Sequence, residues 1–460
     1  MVGHGGPTSS EPITSGGRLL SAFGRAFRTP DLRRKLLFTL GIIVIFRLGA
    51  FVPSPGVNYN NVQQCLAPGG GDTSGGIYQL VNLFSGGALL QVSIFALGIM
   101  PYITASIIIQ LLRVVIPRFQ ELHLEGGQGQ TKLTQYTRYL TIALGLLNAT
   151  TLVSLARSGQ LLGGCGQDGT PSAIIPDTSI VTTILLIITL TAGTGLIMWM
   201  GELVTEKGVG NGMSLLIFTS IVARFPISLG EIWTKSVGQF FIVIVLGIVV
   251  MALVIFVEQS QRRIPVQYAK RMIGRRTVGG TTTYIPIKVN MAGVVPVIFA
   301  SSLLYLPALI AQFARGSDPA NVPAWATWIT DNLTKGDHPI YMVLYFLMIL
   351  FFTYFYVAIT FNPEEVSDNM KKYGGFIPGI RAGKPTADYL QYVLSRITLP
   401  GAIYLGLVAL IPLIALVLIQ ANQNFPFGGT SLLIMVGVGL ETVKQIDAQL
   451  QQRHYEGLLR

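Results

Sequence analysis

Apolar residues in this chain fall into long runs separated by short polar gaps, and the runs have the length of a bilayer crossing. They lie near residues 36–52, 92–112, 139–156, 179–200, 213–223, 239–257, 291–313, 340–361, 398–420 and 429–443. A helix that crosses the hydrocarbon core needs about 20 apolar residues, with some tolerance either way. The pattern predicts ten crossings. The fifth run, cut short by Arg224, is the least sharply bounded.

Charge then orients the spans. No Lys or Arg occurs from Leu48 to Leu112, whereas the gap between the sixth and seventh runs holds Arg262, Arg263, Lys270, Arg271, Arg275, Arg276 and Lys288. Basic residues concentrate in alternate gaps, as the positive-inside rule requires, so both termini are expected on the cytoplasmic side. Half of the residues are hydrophobic and only 12% are charged, which excludes an ordinary soluble domain. The net charge of +11 is mostly inside-loop charge, so it does not by itself imply nucleic acid. The Gly/Ser/Thr-rich opening, residues 1–17, reads as disordered, and the first run comes too late for a cleaved signal peptide.

Three features break the plain pattern. The apolar stretch over 77–112 is too long for one crossing, since a straight helix of that length would reach about 54 Å against a core of about 30 Å. Ser85-Gly86-Gly87 divides it, giving a short segment over about 77–88 and then a full span. The short segment either enters a water-filled cavity or lies as an amphipathic helix on the outer leaflet. Secondly, ten spans split into two fives, which permits an inverted repeat about an axis in the membrane plane. Thirdly, the spans carry almost no charge. Arg47 is the exception and lies near enough to the outer end of span one to snorkel. Pro101, Pro296, Pro400 and Pro412 interrupt spans and argue for helices whose packing can change.

The inside loops are larger than tethers need to be. Residues 258–289 carry two β-prone stretches, 264–269 and 281–289, around a basic centre, and read as a projecting hairpin. Residues 362–396 carry Lys371, Lys372, Arg381 and Lys384 among Gly and Pro turns. Both fit a docking surface for an acidic or RNA-bearing partner, beyond the bare positive-inside bias. Cys65 and Cys165 fall in outside loops, as free thiols or as a disulfide joining them. The four histidines are scattered with no ligand spacing and no P-loop occurs, so neither a metal site nor nucleotide hydrolysis by that route is expected.

Seven stretches, in order along the chain, resemble the SecY family of protein-conducting channels. They are residues 82–89 (NLFSGGAL), 94–110 (IFALGIMPYITASIIIQ), 208–214 (GVGNGMS), 261–271 (QRRIPVQYAKR), 288–296 (KVNMAGVVP), 376–383 (FIPGIRAG) and 427–434 (FGGTSLLI). The resemblance implies an all-α integral membrane protein, with ten transmembrane helices in two inverted five-helix halves around a central pore and a re-entrant plug helix. The halves would be 31–235 and 236–447, between an N-terminal tail (1–30) and a C-terminal tail (448–460), with cytoplasmic loops at about 258–290 and 362–397. The plug would be 77–88, ending at Phe84, Ser85, Gly86 and Gly87.

The family's hourglass constriction falls on Ile99, Ile103, Met213, Ile217, Ile298 and Ile434. Met213 departs from the usual isoleucine, but a thioether is equally apolar and more flexible. Spans two, three, seven and eight would form a lateral gate, and Gln110 and Asn211 would add polar contacts near the pore. Arg262, Arg263, Lys270, Arg271, Arg275, Arg276 and Arg381 would dock the SecA ATPase and the ribosome, with Arg275 and Arg276 at the tip that meets ribosomal RNA. The resemblance further implies SecE and SecG as small partners, SecDF and YidC as accessory ones, and secretory preproteins and nascent membrane proteins as substrates. It implies no cofactor, no catalytic centre and a place in the bacterial plasma membrane. Two rivals remain on residues alone: a secondary transporter of small solutes, and a membrane enzyme or scaffold without an aqueous pore.

Overall fold

The computed structural model describes residues 29–66, 85–157, 173–177, 179–235, 237–268, 271–273, 276–278, 282–315, 323–333, 338–419 and 429–456. Each predicted apolar run falls on a helix: α1 (Pro30–Phe51), α3 (Met100–Val115), α5 (Gly127–Arg157), α6 (Ile180–Lys207), α7 (Gly212–Lys235), α8 (Val237–Gln259), α9 (Val295–Arg315), α11 (Pro339–Thr360), α13 (Lys384–Ile419) and α14 (Gly429–Glu456). Four shorter helices join them: α2 (Tyr59–Leu66), α4 (Pro117–Leu124), α10 (Ala324–Leu333) and α12 (Pro363–Lys372).

Five helical stretches, over α5, α6, α8, α11 with α12, and α13, are long and apolar enough to cross a membrane individually. The bent pair α3 and α4, turned by 100° across Ile116, makes a sixth candidate. Only 22% of the apolar window of α8 is buried inside the protein. Val245, Ile248, Val249 and Phe256 stand exposed along it. A helix apolar all round and so little covered requires lipid as its solvent. This is a multi-pass membrane protein.

The second span departs from expectation. The run over 92–112 is helical only from Met100, and residues 85–99 form a series of turns. Gly86, Gly87 and Gly98 have positive φ, as does Val92 at 46°. Pro101 does not interrupt a helix but opens one, in the first turn, where its missing N–H is no loss. Pro296 likewise falls in the first turn of α9. The part of the expected plug helix that is described, residues 85–88, is turn rather than helix, and the rest lies outside the described residues.

Irregular backbone is tolerated at membrane depth only when protein satisfies it, and here it does. Ser54 donates its N–H to the Val92 carbonyl at 3.1 Å, and Ile94 donates to the Val52 carbonyl at 3.0 Å. Gly193 of α6 leaves room for the Ile94 carbonyl, where any Cβ would collide. Phe46 stacks on Phe95 with ring centroids 5.9 Å apart.

The N-terminal spans pack in sequence, α3 on α5, α5 on α6 and α6 on α7, with α1 against α6 and α7. In the C-terminal half, α11 packs between α9 and α13. The halves meet through α3 and α9 on one side, and through α7 with α8 and α14 on the other.

The β-elements lie between α8 and α9 and between α12 and α13 along the chain. Strands β1 (Gln261–Tyr268) and β4 (Thr282–Lys288) pair antiparallel from Gln261 against Lys288 to Gln267 against Thr282. A small ladder of β2 (Arg271–Ile273) and β3 (Arg276–Val278) continues outward. The expected hairpin therefore exists, and it has a third strand. β5 (Gly375–Phe376), from the second basic loop, pairs with β1 at Gln267 and Tyr268.

Candidate functional site: the apolar waist and the basic platform

The six residues that resemble the family's constriction all belong to, or pack against, the main apolar interior. Ile99, Ile103, Ile217 and Ile434 are buried in one hydrophobic cluster, and the half-buried Met213 and Ile298 pack against it. Ile99 precedes α3 and Ile103 lies in its first turn; Met213 and Ile217 lie one turn apart on α7; Ile298 is in the first turn of α9, and Ile434 is on α14. The same cluster also takes in buried residues of α1, α6, α8, α11 and α13, so it is the apolar interior shared by both halves. Gly201 of α6 makes space for Met213, since a Cβ there would sit 2.4 Å from its sulfur. The cluster also takes in Ile197 and Met200 of α6, which no short motif marks.

The described end of the expected plug is held from two spans. Arg47 does not merely snorkel: its Nη1 donates to the Gly86 carbonyl at 3.1 Å, and its guanidinium lies 5.2 Å from the Phe51 ring centroid. A Cβ on Gly87 would stand 3.1 Å from a guanidinium nitrogen of Arg224. Ser85 is buried and its hydroxyl accepts from the Leu89 N–H at 3.1 Å. Phe84 lies outside the described residues.

The two residues expected to make polar contacts near the pore have local partners. Asn211 caps α7, its Oδ1 accepting from the Met213 and Ser214 N–H groups at 3.1 and 3.4 Å. Gln110 donates to the Ser106 hydroxyl on its own helix at 3.4 Å.

The two basic loops make one platform. Ile264, Val266 and Ile287 of the sheet bury against Met370 of α12, Ile377, and Leu390, Val393 and Leu394 of α13. Arg262 and Arg263 are exposed on β1, and Arg381 is exposed in the turn after β5. That turn is fixed by the Thr386 hydroxyl donating to the Arg381 carbonyl at 2.7 Å, and by Ser367 donating to the Gly383 carbonyl at 2.6 Å. Arg271 and Arg276 lie on β2 and β3, while Lys270 and Arg275 lie outside the described residues. Asn362 caps α12, whose first turn holds Glu364 and Glu365 and whose last turn holds Lys371 and Lys372. That order complements the helix dipole.

Cys65 of α2 is disulfide-bonded and buried in a cluster with Val62, Leu89, Val92, Ile174 and Ile175. Cys165, the other cysteine of the chain, lies outside the described residues. Asp177, in the loop before α6, is held below the usual carboxylate range by the Thr182 hydroxyl and the Ser179 N–H. Among the described residues no group of His, Cys, Asp and Glu could hold a metal ion.

The fold joins a large apolar interior drawn from both halves to a basic platform on one face, and comparison with known proteins gives the family. The SecY family model matches residues 93–443. The chain is 65% identical to the protein translocase subunit SecY of Streptomyces galbus over 447 residues, covering 96% of this chain and all of that one. It is 63% identical to the subunit of the same name from Streptomyces coelicolor, with the same coverage. The chain belongs to the SecY family. Among solved structures, a protein-conducting channel superposes with a TM-score of 0.61 at 19% identity, over 90% of this chain and 91% of that one. Sec61 in a canine ribosome–channel complex superposes with a TM-score of 0.57 at 18% identity and the same coverage. At such identities the agreement is one of fold.

Proposed function

We propose that this chain is the channel subunit of a protein translocase, passing unfolded secretory polypeptides across the bacterial plasma membrane and releasing signal sequences and membrane anchors sideways into lipid. The reading is supported by the family match together with the burial of Ile99, Ile103, Ile217 and Ile434 in the main apolar cluster, against which Met213 and Ile298 pack. A narrow apolar constriction expels water, and an ion cannot cheaply shed its hydration shell there. Aliphatic side chains demand no specific hydrogen bonds, so they yield around a peptide of any sequence.

The remaining assignments follow the same logic. The 77–88 segment is the plug, and Arg47 and Arg224 bear on its inner end. The α3–α9 contact is one edge of a lateral gate, through which an apolar segment leaves for lipid by burial alone. The platform around Arg262, Arg263 and Arg381 docks SecA and the ribosome, which supply the energy; the chain has no catalytic centre of its own. SecE and SecG complete the assembly, with SecDF and YidC as accessories, and both termini are cytoplasmic. The relatives' shared description as translocase subunits leaves the solute-transporter reading without support.

The test is reconstitution of this chain with its small partners in proteoliposomes, supplied with SecA, ATP and a secretory precursor. Precursor should become protease-protected only when all are present. Protection that does not depend on this chain would refute the reading.

A further inference from the structure

At the neck of the platform, where the hairpin returns to the membrane, the β-ladder is extended by a pair of side chains. Beyond the last strand pair, Gln261 with Lys288, the Val289 N–H donates to the Ser260 carbonyl at 3.0 Å. One residue further, Asn290 donates from Nδ2 to Glu258 Oε1 at 2.5 Å and to the Gly293 carbonyl at 3.1 Å. Asn290 is only 3% exposed. Both of its partners are acceptors, so the amide cannot be turned over, and its Oδ1 is committed to the other side.

Among the described residues Oδ1 has no hydrogen-bond partner, and neither does the buried hydroxyl of Tyr404 on α13. Tyr404, Lys288, Lys444 and Glu441 all act electrostatically on the Glu258 carboxyl or feel it. Gly401, one turn before Tyr404, admits the Val289 carbonyl where a Cβ would clash. Helices α8, α9, α13 and α14 therefore converge on one polar knot. A buried acceptor and a buried donor left unsatisfied in one arrangement mark groups that a second arrangement can pair.

We propose that Asn290, bonded to Glu258 and Gly293, is the pivot that transmits movement of the basic platform to α9 and so to Ile298 at the waist. The inference rests on the channel reading above. The platform is a stiff body, with a three-stranded sheet over its own core. Gly293, at φ +62°, turns the chain into α9, and Ile298 lies in the first turn of that helix. Asn290 is a positioning residue: it touches neither the polypeptide nor the docking partner.

The experiment uses the reconstituted complex with Asn290→Leu, Glu258→Gln and Glu258→Ala. In the Leu variant, binding of SecA and of ribosomes should stay within twofold of wild type while precursor transport falls at least tenfold. Adding Asn290→Leu to a deletion of 77–88 should leave the ion conductance of the deletion unchanged, showing that the waist itself is intact. Glu258→Gln keeps the acceptor and should transport within twofold of wild type; Glu258→Ala should fall with Asn290→Leu. The pivot is overturned by transport near wild type in Asn290→Leu. It is equally overturned by loss of binding together with transport, or by Glu258→Gln failing as badly as Glu258→Ala. A wild-type complex that transports nothing would instead refute the channel reading.

Discussion

Gly86 has no room for a methyl group. Its φ is +68°, and a Cβ would lie 2.8 Å from Arg47 Nη1 and 3.2 Å from the Ser220 Cα. Forcing a side-chain-bearing residue into such backbone costs about 1–3 kcal/mol. Gly86→Ala should therefore loosen the turn from its seat and raise resting ion conductance in planar bilayers; conductance at the wild-type level would show that the turn plays no part in the seal. The sequence marked Arg47 as anomalous but not its partner. That partner is a backbone carbonyl far along the chain, and nothing local to span one encodes it.

Elements were legible wherever their pattern is local. The β-prone stretches announced the hairpin, since alternation and turn residues are read within one window. The third strand was not announced, because β5 has only two residues, Gly375 and Phe376, and owes its existence to a tertiary partner. Span two was misread at its start for a related reason. Hydrophobicity does not distinguish a buried turn from a helix, and residues 85–99 are apolar but coiled. The fused platform makes two predictions. Leu390 is fully buried beneath the sheet. Leu390→Ala should cost about 2–5 kcal/mol locally, seen as faster proteolysis of both basic loops together; cleavage confined to one loop would separate them. Reversing charge at Arg262, Arg263 and Arg381 should weaken SecA and ribosome binding and flatten its salt dependence, while membrane insertion stays intact. Binding at wild-type strength would move the docking surface elsewhere.

Across the whole molecule, the apolar runs sufficed to place the long helices of a multi-pass membrane protein, because the bilayer restricts spanning backbone to very few solutions. The waist is different. Isoleucines on a span are ordinarily packing or lipid-facing residues, and these six share one apolar cluster with residues from nearly every span. No single helix carries that information, so it came from resemblance and not from periodicity. The account stands on the apolar character of that ring. The most direct measurement is the resting ion conductance of the reconstituted complex with Ile99, Ile103 and Ile298 all replaced by asparagine. The account predicts conductance at least tenfold above wild type, with precursor transport still dependent on SecA. A triple variant as tight to ions as wild type, exporting at the same rate, would contradict it.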